Sequence, residues 1–204
     1  MRSPTRLVTF AAGLLLAAST FAACSESEDP TSTGTITDTA STTESQALLT
    51  KHGLAGMDAR EVIEELEAKP LDERDEALRA SVTPTAVTLS EDGTPDVVFD
   101  LGDEEFYLSV APFATSTHDC VMHSLSGCRG ELRATPVTVT ATDASTGEVV
   151  RTVRTRTQDN GFAGLWLPRD RKLTIAVQQG ERSGSATIST DAEAPTCLTT
   201  IRLA

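Results

Sequence analysis

Val137-Thr-Val-Thr-Ala-Thr-Asp-Ala-Ser-Thr-Gly-Glu-Val-Val-Arg-Thr-Val-Arg-Thr-Arg-Thr157 sets the structural class of this chain. Val137, Val139 and Ala141 recur at every second position, the spacing of a half-buried strand rather than of a helix. Asp143-Ala-Ser-Thr-Gly147 is a turn, and Glu148 to Thr157 reads as a second, long strand. Downstream, Asp159-Asn-Gly161 is a hairpin signal. Leu173, Ile175 and Val177 then alternate, a turn follows at Gln179-Gly180, a strand lies around Ala186 and Ile188, and a last one runs from Thr196 to Leu203. Upstream, Val87 and Leu89 lead into the turn Ser90-Glu-Asp-Gly-Thr94, followed by Val97 to Leu101 and by Phe106, Leu108 and Val110. Roughly seven to nine short, evenly spaced strands predict a β-sandwich of immunoglobulin-like or transthyretin-like type.

The residues before Pro84 follow other rules. Arg2 and Arg6 precede an apolar run from Leu7 to Phe21, and Phe21-Ala-Ala-Cys24 ends it with small residues and a cysteine. This is a secretory signal, similar to a bacterial lipoprotein signal except that Phe21 stands where leucine is usual. Cys24 is therefore the expected lipidation site, and acyl chains there would anchor the protein without spanning the membrane. Ser25 to Ser45 is built of Ser, Thr, Asp and Glu with little apolar, too polar to offset its ordering entropy. From Ser45 the pattern turns helical. Gly53 ends a first helix carrying His52, Asp58 caps a second with the stripe Val62, Ile63 and Leu66, and Pro70 stops it. Leu71 to Leu78 is expected to be a third, mostly charged helical piece. The fold class is thus α+β, a short N-terminal helical region before an all-β sandwich-like domain. The expected divisions are a signal at 1–23, an acidic linker at 24–44, a helical region with dimerisation potential at 45–82, and a β-domain at 83–204.

The formal net charge is −13. Without Arg2 and Arg6 it becomes −15, from 15 bases and 30 acids. Such a balance argues against nucleic acid and anionic headgroups as partners, leaving the lipid anchor as the expected membrane contact. No phosphate-binding glycine loop, nucleophile elbow or Ser/His/Asp arrangement stands out, so no enzyme activity is expected.

The chemistry gathers in Thr117-His-Asp-Cys-Val-Met-His-Ser-Leu-Ser-Gly-Cys128, which holds two of the chain's three histidines and two of its four cysteines. Cys197 lies far downstream in Pro195-Thr-Cys-Leu-Thr-Thr-Ile201. Thiolate, imidazole and thioether suit soft or borderline metals such as Cu(I) and Zn(II). If strand parity carries through from Phe106, His118 and Cys120 point inward, and Cys197 shares the inward parity of Ile201 and Leu203. The competing reading is a disulfide, usual in an exported protein. With Cys24 lipidated, however, Cys120, Cys128 and Cys197 form one internal bridge at most, and His118 and His123 go unexplained. Phe162 and Trp166 read as sandwich core rather than part of the site, with Trp166 placed near it.

Several separated motifs occur in a telling order. Phe106-Tyr-Leu-Ser-Val-Ala-Pro112, His118-Asp-Cys-x-x-His-Ser-Leu-x-x-Cys-Arg-Gly-Glu-Leu132, Asp159-Asn-Gly-Phe-x-Gly-x-Trp-Leu-Pro-Arg169 and Cys197-Leu-Thr-Thr200 together closely resemble the CueP family of periplasmic copper-binding proteins. The resemblance runs from about Leu48 to the end. It implies a helical N-terminal region able to mediate homodimerisation and a β-rich domain bearing copper. It further implies ligation by Cys120, Cys128 and Cys197, with His118 and His123 as further candidates. The role implied is copper tolerance and delivery to a recipient cuproenzyme such as a copper-dependent superoxide dismutase. Cu(I) is the expected metal and zinc its competitor. Thiols can also reduce Cu(II), forming a disulfide. Two other classes remain open, a thiol-disulfide redox protein using Cys120 and Cys128, and a cell-surface interaction module with a structural disulfide or zinc.

Overall fold

A computed structural model describes residues 36–204. The signal at 1–23, Cys24 and the linker as far as residue 35 lie outside the described residues. Helix α1 (Ile36–Lys51) begins nine residues before Ser45, inside the stretch read as linker. Helix α2 (Ala59–Ala68) starts where Asp58 predicts. Asp58 Oδ1 accepts from Glu61 N while Glu61 Oε2 accepts from Asp58 N, both at 2.9 Å. This reciprocal cap satisfies two otherwise unpaired donors. At the other end Lys69 turns extended before Pro70, as a residue preceding proline must.

The third helical piece is not a helix. Leu71–Glu73 forms a single 3-10 turn, and strand β1 (Arg79–Val82) follows, within the stretch expected to be helical to residue 82. Tertiary contacts override local propensity here. Arg74 folds back to donate from Nε to Lys69 O at 3.0 Å and from Nη2 to Glu67 O at 3.2 Å, occupying carbonyls that α2 leaves open. Its Nη1 donates to Leu125 O at 2.5 Å.

The strands make three sheets. In the first, β3 (Val97–Asp100), β2 (Ala86–Ser90), β1 and β5 (His123–Ser124) lie side by side in that order. The second is ordered β10 (Arg182–Ser189), β9 (Lys172–Gln179), β6 (Pro136–Asp143), β7 (Val149–Arg156). The third is ordered β11 (Cys197–Leu198), β4 (Glu105–Val110), β8 (Ala163–Pro168), with β11 running parallel to β4. The chain is therefore α+β with a β-rich body, as its patterning predicts.

The third sheet is buried on both faces. Phe106, Leu108 and Val110 of β4 join Leu165 and Leu167 of β8 in a core with Val137, Val139 and Ala141 of β6 and Leu173, Ile175 and Val177 of β9. That is the sandwich. The other face carries Tyr107 and Trp166, which pack with α2's Val62, Ile63 and Leu66 and with Val82, Val87 and Leu89 of the first sheet. The helices thus cover a second core rather than standing apart. Tyr107 needs a gap in β8 to fit there. A Cβ on Gly164 would stand 2.6 Å from the Tyr107 hydroxyl and 3.0 Å from its Cε2. Gly164→Ala should therefore destabilise the protein by about 1–3 kcal/mol through overpacking, read by urea denaturation; an unchanged midpoint would mean that Tyr107 moves freely.

Candidate metal centre

Three chain segments meet beside the outer face of β4. His123 is held by β5, whose pairing sets it opposite Val82. Its backbone N donates to Thr196 Oγ1 at 2.9 Å, and that hydroxyl donates in turn to Val82 O at 2.6 Å. Cys197 begins β11, in register with Ser109. Thr196 N and Cys197 N both reach Val121 O, at 3.0 and 3.2 Å, which brings the 120–123 loop onto the C-terminal strand. Cys128 sits in a tight turn, its N donating to Ser124 O at 3.0 Å. That turn is pressed against the turn at 159–161, where Gly130 N donates to Asn160 O at 2.6 Å. Neither Gly130 nor Gly161 has room for a side chain, since a Cβ on Gly161 would stand 2.5 Å from Gly130 O.

The ligand atoms of Cys120, His123, Cys128 and Cys197 all lie within 4.8 Å of one another. Cys120 and Cys197 are joined as a disulfide across 77 positions. Cys128 is free, and its Sγ is 3.5 Å from that of Cys120. His123 Nδ1 faces Cys197 Sγ at 3.8 Å. His123 and Cys197 are buried, Cys120 and Cys128 are half-buried, and Val121 and Met122 between them are exposed. The donor set fits a soft metal once the disulfide is reduced; with the bridge closed, only Cys128 can supply a thiolate.

Behind the sulfurs lies a buried carboxylate that the sequence reading passed over. Glu67 Oε2 accepts from His123 Nε2 at 2.8 Å, from the Tyr107 hydroxyl at 2.7 Å and from Ser109 Oγ at 3.3 Å, while Oε1 accepts from Asn160 Nδ2 at 2.7 Å. Burial would raise its pKa, but the His123 charge and these hydrogen bonds hold it below the usual carboxylate range. Burial would likewise lower His123, yet the Glu67 carboxylate overrides it and the pKa is pushed up to about 9. The Cys128 thiol is pushed up by burial and pulled down by its hydrogen bond with His123 and the charge there; the second effect wins, and its pKa falls below that of an ordinary thiol.

Not every expected residue arrives. His118 is exposed and is not one of the four. Its ring stands edge-on to Phe162 at 6.3 Å between centroids. The parity argument fails because residues 111–122 form no strand. Of the two aromatics read as core, Phe162 and not Trp166 lies beside the four residues. Phe162 packs against the His123 ring at 4.6 Å between centroids and shares a small cluster with Ala111, Cys197, Cys120 and Cys128. Trp166 lies in the other core, donating from Nε1 to Glu64 Oε1 at 3.0 Å beneath the Arg60 guanidinium. His52 lies elsewhere, its buried side chain paired with Glu91 at 3.0 Å. One signal could have revealed Glu67: it continues the apolar stripe of α2, four residues beyond Ile63.

The CueP family profile, described as periplasmic copper-binding protein CueP, matches residues 61–202. The chain belongs to this family. The fold agrees: the crystal structure of S.CueP superposes with a TM-score of 0.73 at 38% identity, over 78% of this chain and 97% of that one. A search of curated protein sequences returns no match. Among the described residues no helix is long and apolar enough to cross a membrane.

The site makes a direct prediction about thiol reactivity. In unreduced protein, alkylation followed by peptide mapping should modify Cys128 and spare Cys120 and Cys197. The Cys128 rate should reach half-maximum at a lower pH than a free cysteine, because its depressed pKa leaves thiolate present there. His123→Ala should move that profile upward. Labelling of Cys120 or Cys197 without reductant would contradict the pairing.

Proposed function

We propose that the protein holds copper outside the cytoplasm, as Cu(I), through Cys120, Cys128, Cys197 and His123. The observation that carries this reading is the convergence of three sulfurs and one imidazole nitrogen within 4.8 Å, with Cys197 brought in from 77 positions beyond Cys120. Three thiolates and an imidazole also make a tetrahedral zinc set. The sulfur-rich set favours Cu(I), and membership of a copper-binding family favours it further. Binding requires that the Cys120–Cys197 disulfide be opened first. In an oxidising compartment an exogenous dithiol must therefore reduce it, ending as a disulfide itself.

The protein acts as a carrier and not as an enzyme. Reduction of Cu(II) by its thiols is stoichiometric: two Cu(II) ions each take one electron from the Cys120 and Cys197 thiolates, which join as a disulfide. Copper tolerance follows from sequestration, and a recipient cuproenzyme such as a superoxide dismutase is the natural end of a Cu(I) hand-off. Acylation at Cys24 places this activity at a membrane surface, and the helical region offers a homodimer contact.

Titration of the reduced protein with Cu(I) against a competing chelator tests the site. Each of Cys120→Ser, Cys128→Ser and Cys197→Ser should lose more than the ~10–100-fold in affinity typical of changes one shell further out. His118→Ala should bind like the parent, and His123→Ala should bind more weakly. Parent-like affinity in Cys197→Ser would sink the three-sulfur site, leaving a surface domain stapled by a disulfide.

A further inference from the structure

We propose that Glu67 is a positioning residue for the metal, selecting Nδ1 of His123 as the ligand nitrogen and tying helix α2 to the site. This rests on reading the four residues as a copper site. The argument runs inward from the periphery. Phe162 N donates to Asn160 Oδ1 at 3.0 Å, so the amide oxygen is engaged and Nδ2 is the group facing Glu67 Oε1 at 2.7 Å. The Tyr107 hydroxyl gives its proton to Oε2 at 2.7 Å, and burial beside Glu67 keeps that hydroxyl protonated. Ser109 Oγ stands 3.3 Å from the same oxygen. Glu67 is therefore surrounded by donors, and a carboxylate, which only accepts, is the group that satisfies them. His123 Nε2, at 2.8 Å from Oε2, must then carry a proton as well.

A histidine whose proton is held on one nitrogen presents the other as the ligand, and a carboxylate on the far side fixes the ring. Here the other nitrogen is Nδ1, which faces Cys197 Sγ at 3.8 Å. Phe162 packs on the ring at 4.6 Å between centroids and limits its rotation. Glu67 itself is only 4% exposed, and no buried side-chain nitrogen or oxygen among the described residues lacks a partner. The carboxylate comes from α2, while the sulfurs come from the β-rich body, so docking of the helix completes the site.

A purely structural carboxylate would hold α2 in place without choosing a nitrogen, and the test separates the two roles. Long-range proton–nitrogen spectra of the reduced full-length protein should show a proton on His123 Nε2 before and after addition of one equivalent of Cu(I), with Nδ1 as the resonance that moves. Glu67→Gln alone sets an amide donor against the Asn160 donor and is expected to destabilise the fold. Glu67→Gln combined with Asn160→Asp restores the donor–acceptor pairing while giving His123 a neutral amide oxygen. That double variant should melt near the parent yet bind Cu(I) about 10–100-fold more weakly. Loss of the Nε2 proton on loading, or parent-like affinity in the folded double variant, would overturn the assignment. Failure of the parent to take up Cu(I) would contradict the copper site instead. The metal-free spectrum still decides the hold of Glu67 on the ring: an Nε2 proton supports it, and an unprotonated Nε2 removes it.

Discussion

Glu67 is a charged side chain sealed inside the protein, and its hydrogen-bond donors come from β4, β5 and the turn before β8. A carboxylate in such a place is tolerated only when its acceptor sites are filled, and removing one partner of a buried ionic contact costs about 3–5 kcal/mol. The network therefore fixes α2, Tyr107, His123 and Asn160 relative to one another. It also gives His123 a single orientation, with one nitrogen committed to Glu67 and the other turned to the sulfurs. What would otherwise be a loose set of cysteines on a coil becomes a site with a defined geometry.

The layering explains how residues so distant in sequence meet. The sheet of β11, β4 and β8 is apolar on both faces, one closing the sandwich with the β10-β9-β6-β7 sheet and the other covered by helices and the first sheet. The second face of β4 carries Tyr107, an aromatic in the core, and Ser109, a hydroxyl on Glu67, and just beyond the strand Ala111 packs beside Cys197. The parallel pairing of β11 with β4 sets Cys197 opposite Ser109.

Local signals in the sequence were legible where local forces rule. The alternation of Val137, Val139 and Ala141, the Asp58 cap and the Pro70 stop all describe what the backbone does there. Leu71 to Leu78 misled because Arg74 spends its guanidinium on Glu67 O and Leu125 O rather than on a helical face. His118 misled because a parity argument needs an unbroken strand, and the chain between β4 and β5 is irregular. The cysteines were recognisable as a set, through order and family resemblance. Which two are bridged was not, since the Cys120–Cys197 pairing depends on the β11–β4 register and on Val121 O meeting the C-terminal strand. Glu67 was hidden by the habit of reading a helical glutamate as a solvated face.

The disulfide uses two of the four ligand atoms of the proposed copper site, so on this reading the redox state of Cys120 and Cys197 governs whether copper can be held. Copper X-ray absorption on the reduced, copper-loaded protein tests this account most directly. It predicts a Cu(I) edge and a first shell dominated by sulfur with a single imidazole nitrogen, lost when the protein is loaded without prior reduction. A shell of nitrogen and oxygen alone, or one that forms equally well with the disulfide intact, would contradict it.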